Sequence, residues 1–284
     1  MVSSQQRREQ VTLCRQRGHS ARRACELIGI PRSVLGYRPV RSVRDVLALQ
    51  KMRELARQYP RFGYRMIRIF LGRAGHAMNP KRTYRLWAAA GLQLPRKRPR
   101  RRVADPRPRP ESPTGPNHVW AYDFVFDRTS AGQNLKCLTI IDEFTRESLA
   151  IDVGGSIRSH RVIDVLARLI SVRGAPTHLR SDNGPEFVSL AIQKWIADNG
   201  MNIVLNDPGK PWQNGTNESF NGTLRDECLS LEWFRSRAEA KVVIETWRQH
   251  YNDTRPHSSL GYLTPTEFHQ QYQNPSIPGA ILKL

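Results

Sequence analysis

The sequence predicts an α/β fold, a mixed sheet with flanking helices, preceded by an all-α region. Helix-capping residues and helix stops recur through the first third of the 284-residue chain. A stretch rich in proline and arginine follows, and after it aromatic and β-branched runs alternate with helical patterns. With 39% hydrophobic residues the chain can form globular cores, and its length predicts two or three domains.

Residues 1–42 are predicted to form a small helical unit. Ser20 can cap a helix over residues 21–28 that Gly29 ends. Pro31 then begins a further short helix. Two short helices joined by a glycine-containing turn are the outline of a helix-turn-helix, although a plain three-helix packing unit fits the pattern as well. If this unit binds DNA, the expected contacts are Arg22, Arg23 and Arg32.

A second helical unit is predicted over residues 43–94. Asp45 is predicted to cap a helix over residues 46–57, and Asn79 followed by Pro80 predicts the start of another. Basic and tyrosine side chains interleave along this unit and can hold a nucleic-acid backbone. The expected contacts are Arg61, Tyr64, Arg65, Lys81, Arg82 and Arg85.

Positive charge is concentrated in the first part of the chain. The net charge is +20, yet residues 1–117 hold 28 Lys and Arg against 6 Asp and Glu, and the remainder holds 17 against 19. Residues 95–117 contain seven prolines and eight basic residues, which predicts an extended linker that tracks phosphates or a solvated spacer. This segregation predicts binding to a polyanion, DNA or RNA, with strong salt dependence.

Residues 118–270 carry the α/β pattern, and residues 271–284 are predicted to form a C-terminal tail. The predicted strands are residues 119–127, 135–142, 148–153, 177–181 and 201–205. The predicted helices are residues 161–172, residues 185–198, a helix opened by Glu218, and residues 237–252. Three strands followed by alternating helix and strand indicate a mixed sheet.

Three carboxylates lie on three predicted elements of this domain. Asp123 is in the first strand, Asp182 follows the fourth, and Glu218 opens a helix. Each has a structural explanation by itself, as a strand-edge residue, a turn former or a partner of the helix dipole. Together they would repel one another unless a cation neutralised them, and oxygen ligands suit Mg²⁺ or Mn²⁺. Two such ions, ~4 Å apart, are typical of phosphoryl transfer on nucleic acid.

The order Asp123, Asp182, Glu218, with 35 residues between the last two, resembles the DDE triad of retroviral-integrase-type transposases. The surrounding residues resemble the second-frame (OrfB) product of bacterial insertion sequences of the IS-three family over nearly the whole chain. They are Trp120, Tyr122, Ser181, Asn183, Gly184, Glu186, Phe187, Pro211, Gln213, Gly215, Asn221, Tyr251, Asn252, Arg255, Pro256 and His257.

The resemblance implies a ribonuclease H-like core whose three acids hold two Mg²⁺ or Mn²⁺ ions. It implies cleavage of double-stranded DNA at the terminal repeats of an element, followed by attack of the freed 3′-hydroxyl on target DNA. It also implies a homo-oligomer and either fusion to, or partnership with, an upstream-frame (OrfA) product. Three further residues are expected near the DNA, two of them on an active-site loop: Lys210, Gln213 and Asn221.

Two rival functions fit the same acids: a metal-dependent, structure-specific endonuclease and a catalytically silent DNA-binding regulator. The four cysteines show no zinc-ligand spacing, so neither a structural zinc nor a disulfide framework is expected. No apolar run is long enough to cross a membrane and no signal-peptide core begins the chain, which predicts a cytoplasmic protein. Asp142, Asp152, Glu186, His250 and His257 are expected to be structural.

Overall fold

A computed structural model describes residues 3–37, 40–95, 112–182, 184, 189–205 and 215–274, without the side chains of residues 40–44 and 205. The helices are α1 Ser4–Gln16, α2 Ala21–Ile28, α3 Val40–Gln58, α4 Tyr64–Arg73, α5 Pro80–Ala89, α6 Ser159–Arg173, α7 Leu190–Asp198, α8 Gly215–Leu224, α9 Arg237–Asp253 and α10 Pro265–Gln273. The strands are β1 Val119–Arg128, β2 Asn134–Asp142, β3 Ser148–Gly154, β4 His178–Ser181 and β5 Asn202–Leu205.

The chain divides into two compact units, residues 1–60 with 70–93 and residues 61–69 with 94–284. The boundary between them falls inside α4. The helical unit predicted over residues 43–94 therefore does not coincide with either compact unit.

The start of the helical unit follows the sequence prediction closely. The Ser20 hydroxyl accepts the Arg23 N–H and caps α2, and Gly29 ends the helix with a left-handed φ of 68°. Val11 of α1 packs with Ala24 and Cys25 of α2 in a small core. The third short helix is a single 3₁₀ turn, Arg32–Val34. The short helices predicted for residues 1–42 are therefore present, and their role as a helix-turn-helix stays a prediction.

The predicted cap at Asp45 is wrong, because α3 begins five residues earlier at Val40. Asp45 instead lies inside α3 with its side chain buried. Its Oδ1 accepts hydrogen bonds from the Arg82 guanidinium at 2.5 and 2.9 Å, and Arg85 lies 3.7 Å from Oδ2. A buried carboxylate is stable when paired, so α3 and α5 meet through this ion pair. The predicted cap of α5 is confirmed, since Asn79 Oδ1 accepts the Arg82 N–H at 2.7 Å.

The second unit contains a five-stranded mixed sheet with strand order β3-β2-β1-β4-β5. β1 pairs antiparallel with β2 and parallel with β4. At the two edges of the sheet, β3 pairs antiparallel with β2 and β5 pairs parallel with β4. Side chains alternate between the faces of a strand. Ala121 and Val125 pack with residues of α8 and α9, whereas Trp120 and Tyr122 pack with residues of α6 and α7. The predicted mixed sheet with flanking helices is confirmed.

Two helices of this unit differ from the prediction. α7 begins at Leu190 rather than residue 185, because the Ser189 hydroxyl accepts the Ile192 N–H as its cap. Residues 185–188 lie outside the described part. The sequence did not predict α10, which Thr264 and Glu267 start with reciprocal capping hydrogen bonds. Within the described ranges, no helix combines the length and apolar character needed to cross a membrane.

Candidate active site

The strand register brings two of the three predicted acids side by side. Ala121 of β1 lies opposite Arg180 of the parallel strand β4. Continuing this register by two residues places Asp123, in the middle of β1, opposite Asp182, the residue after β4, on the same sheet face. Neighbouring strands lie about 4.8 Å apart, so both carboxylates can reach one ligand. Their 59-residue separation in sequence gives no hint of this proximity.

The third acid comes from the helix that covers this sheet face. Phe220 and Leu224 of α8 pack into the core with Ala121 and Val125 of β1. This packing fixes α8 over β1 and leaves Glu218 exposed in the first helical turn.

The pKa of Asp123 is raised from 3.8 to about 6. Burial is the largest cause, and the negative charges of Asp182 and Glu218 add to the rise. Hydrogen bonds from the Phe124 N–H and the Asn221 side chain partly offset it, because they stabilise the ionised form. The charges of the other two acids therefore act on Asp123 less strongly than burial does.

Asn221 holds Asp123 in place through contacts that the sequence did not predict. Its Nδ2 donates to Asp123 Oδ2 at 2.8 Å, while its Oδ1 accepts the Thr139 hydroxyl at 3.1 Å. Thr139 lies opposite Asp123 on β2. Asn221 is only 8% exposed, and its amide is engaged by these two side chains. The sequence signal for this residue was its position three residues after Glu218, which places both side chains on one face of a helix.

A buried ion pair lies close to Asp182 on the same sheet face. Arg180, two residues before Asp182, donates to Glu143 Oε2 at 2.5 Å, and both side chains are buried. Glu143 follows β2, and its N–H donates to the Val119 carbonyl at 3.0 Å. The pair thus connects β4 to the turn after β2. Sequence analysis missed it because the two residues lie on different elements.

The donor set of the three acids suits a divalent cation. All three offer carboxylate oxygen, the ligand that Mg²⁺ and Mn²⁺ prefer. A cation would also stabilise the ionised form of Asp123, which burial and the two neighbouring charges oppose. Across the described residues, no group of three or more His, Cys, Asp or Glu side chains is arranged to hold a metal.

The remaining acids of the core are engaged in structural contacts. Asp142 is buried and accepts backbone N–H groups of Asn117, Phe144 and Thr145 at 2.7–3.0 Å. Asp152 accepts two hydrogen bonds from Arg161 at 2.6 and 2.9 Å. Both fit the structural roles expected of them. Glu186 lies outside the described residues.

The N-terminal candidates for DNA contact are surface residues. Arg22, Arg23 and Arg32 are exposed, and Arg23 forms an exposed salt bridge with Glu26 at 3.2 Å. Lys81 is exposed on α5, where Arg82 and Arg85 are already engaged by Asp45.

The remaining candidates adjoin or belong to the second unit. Arg61 lies 3.7 Å from Asp226, and Arg65 Nε donates to the Tyr64 hydroxyl at 3.3 Å. Lys210 and Gln213 lie outside the described residues.

Comparison with known families gives three matches between residues 43 and 265. Residues 43–100 match an HTH-like domain. Residues 113–211 and 199–265 match two families that are both described as an integrase core domain. The fold and these matches define an enzyme, a DDE-type polynucleotidyl transferase.

Several bacterial proteins are similar over most of the chain. The insertion element IS407 uncharacterized 31.7 kDa protein of Burkholderia multivorans is 45% identical over 88% of this chain and 90% of its own length. The insertion element IS476 uncharacterized 39.2 kDa protein of Xanthomonas euvesicatoria is 40% identical over 92% of this chain and 76% of its own length. The putative transposase InsK for insertion sequence element IS150 of Escherichia coli is 27% identical over 76% of this chain and 80% of its own length. This chain belongs to the insertion-element transposases that carry an integrase core domain.

Among solved structures, the HTLV-2 integrase catalytic core domain in complex with magnesium is similar with a TM-score of 0.43. It is 20% identical and covers 55% of this chain and 99% of its own.

Proposed function

We propose that this protein cleaves DNA at the ends of an insertion element and joins the freed 3′-hydroxyl to another DNA strand. The observation that carries the proposal is the arrangement of β1, β4 and α8, which meet at one face of the sheet. Asp123 lies in β1, Asp182 directly follows β4, and Glu218 lies in the first turn of α8. Three carboxylates on a rigid sheet and its covering helix are suited to phosphoryl transfer, which relies on positioning and charge stabilisation.

Asp123, Asp182 and Glu218 would hold two divalent cations. When bound, these cations activate the attacking hydroxyl and stabilise the leaving oxygen of an in-line displacement. The chain's own contribution is positional. The Phe124 N–H and the Asn221 amide each engage one oxygen of Asp123, which fixes the carboxylate plane. Half-burial of Asp123 limits its contact with water and strengthens its interaction with any bound charge.

The DNA substrate is proposed to bind mainly through the first part of the chain. Residues 1–117 carry 28 Lys and Arg against 6 Asp and Glu, a field that attracts phosphates. The HTH-like segment would position the double-stranded ends of the element, and the core would act on the DNA strand that lies over β1 and β4. A homo-oligomer, with or without an OrfA fusion or partner, would hold two element ends and the target together.

A strand-transfer assay tests this function. Labelled duplexes from the DNA that flanks the reading frame are incubated with the protein and either Mg²⁺ or EDTA. Joined products that require the metal are expected. Asp182→Asn should abolish joining while DNA affinity stays unchanged, and Asp164→Asn, an exposed position on α6, should behave as wild type.

The products also separate this function from its rivals. Retained joining by Asp182→Asn would overturn the assignment of the three acids. Metal-dependent cleavage without joining would instead identify a structure-specific endonuclease, and DNA binding without either reaction would identify a regulator.

A further inference from the structure

A cavity of about 420 Å³ lies against α8 in the second compact unit, residues 61–69 with 94–284, which is named the catalytic unit for its proposed function. Thr216, Ser219 and Thr223 line it at helical steps of three and four, so they share one face of α8. Glu218 does not line the cavity. The cavity is therefore a different site from the three acids, although the same helix borders both. Residues 255–259, between α9 and α10, supply much of the opposite wall.

The lining of the cavity is positively charged. It contains two arginines, Arg146 and Arg255, and no acidic residue. Arg255 is neutralised by Glu227, which accepts two hydrogen bonds from its guanidinium at 2.7 and 2.8 Å. No acidic side chain of the described residues forms a salt bridge with Arg146, whose Nη1 donates instead to the Thr216 hydroxyl at 2.9 Å. The charge of Arg146 thus remains available at the cavity.

The backbone of Arg146 is specialised for this position. Its φ is 63°, in the left-handed region that non-glycine residues seldom adopt. The conformation occurs in the turn between β2 and β3, where the Arg146 N–H donates to the Asp142 carbonyl at 2.9 Å. This turn directs the side chain to the first turn of α8.

One further feature favours an anion in the cavity. Gly215 and Thr216 line it and belong to the first turn of α8, where the positive end of the helix dipole attracts negative charge.

We propose that this cavity binds a phosphate group of the DNA backbone. The ligand class follows from the contents of the lining: a guanidinium without a salt bridge, several hydroxyl donors and the first turn of a helix. The proposal rests on the proposed function, since DNA is the phosphate source.

The salt dependence of DNA affinity measures this contact directly. Binding of the full chain to an element-end duplex is followed without divalent metal at several KCl concentrations. Each neutralised phosphate adds about 0.9 to the slope of log K against log salt. Arg146→Gln should lower the slope by about 0.9. Arg146→Lys, which keeps the charge and the same backbone demand, should retain the wild-type slope. Arg158→Gln, an exposed arginine before α6, is the matched control.

The outcomes separate this site from the proposed function. A slope for Arg146→Gln equal to that of Arg158→Gln, with normal DNA binding, would overturn the phosphate site alone. Failure of the wild-type chain to bind any duplex would overturn both. Inorganic phosphate serves as the second probe. If it raises the melting temperature of wild type but not of Arg146→Gln, while the salt slopes are equal, the cavity binds a free anion and not DNA.

Discussion

Asp123 combines a half-buried position with a proposed role that requires negative charge. Ionisation is opposed by burial and by the two nearby acids, and it is supported by the Phe124 N–H and the Asn221 amide. A pKa of about 6 keeps the carboxylate ionised at neutral pH, but with a smaller margin than an exposed aspartate has. A bound cation would widen that margin, since it stabilises the ionised form.

The raised pKa of Asp123 predicts a specific pH dependence of stability in the absence of metal. Between pH ~4 and pH ~6 this residue is ionised in the unfolded chain but protonated in the folded one. The free energy of unfolding should therefore fall as pH rises through this window, by up to about 3 kcal/mol for this group. Asp123→Asn should lack this component. Urea unfolding of both proteins from pH 4 to pH 7 measures the difference, and parallel pH profiles would contradict the assignment.

Asn221 is predicted to act through Asp123. Replacing Asn221 with Ala removes the amide that donates to Asp123 Oδ2, and the carboxylate loses its fixed orientation. Joining activity should fall about 10–100-fold, with a higher Mg²⁺ concentration needed for half-maximal rate. Thr139→Val, which removes only the hydroxyl that orients the Asn221 amide, should show a smaller change in the same direction. A lower rate with an unchanged Mg²⁺ requirement would contradict this positioning role.

At the scale of elements, the segment of residues 61–69 belongs with the catalytic unit. Phe62 is 3% exposed, and its ring centre lies 6.3 Å from that of His250 and 5.8 Å from the Arg255 guanidinium. Arg255 in turn holds Glu227, in the π-helical turn that follows α8. Residues far apart in the chain thus support the end of the helix that carries Glu218.

Phe62→Ala should therefore destabilise the catalytic unit. Removing a buried phenyl ring leaves a cavity and typically costs about 3–5 kcal/mol. Trp233→Ala removes a larger ring that is 82% exposed, and its effect should stay within about 0.5 kcal/mol. Denaturant unfolding of the catalytic unit in both variants measures these costs. Equal stability of the two variants would show that residues 61–69 do not support this unit.

At the scale of the whole molecule, charge and chemistry occupy different parts of the chain. Residues 1–117 hold 28 Lys and Arg against 6 Asp and Glu, which exceeds the net charge of +20, whereas the three acids lie beyond residue 118. Under the proposed function this division would separate DNA affinity from catalysis, because phosphate attraction and metal-dependent chemistry require opposite charges.

Deleting residues 1–37 tests this division. The deletion removes α1, α2 and their small core but leaves residues 61–69 in place. Selectivity for element ends over random duplex should fall, and metal-dependent nicking should persist at a low level. A competition assay with end-containing and random duplexes measures the first effect, and a nicking gel measures the second. Unchanged selectivity would place end recognition elsewhere in the chain.

The sequence by itself determined the local features of this protein. Ser20, Gly29 and Asn79 set helix ends through contacts with residues three or four positions away, so short windows of sequence predicted them. The strands of the core were predicted from aromatic and β-branched runs, and the three acids were proposed from their residue types and from the resemblance of their order and spacing to the DDE triad. The prediction failed at Asp45, where pairing with Arg82 of another helix outweighed the local preference for a cap.

Only the tertiary structure decided which distant residues meet. The register of β1 with β4 places Asp123 beside Asp182, and the packing of α8 brings Asn221 to Asp123. The Arg180–Glu143 pair and the cavity beside Arg146 arise in the same way, from elements that are separate in the chain. Sheet pairing and core packing depend on the whole folded domain, and their partners leave no periodic signal in the sequence.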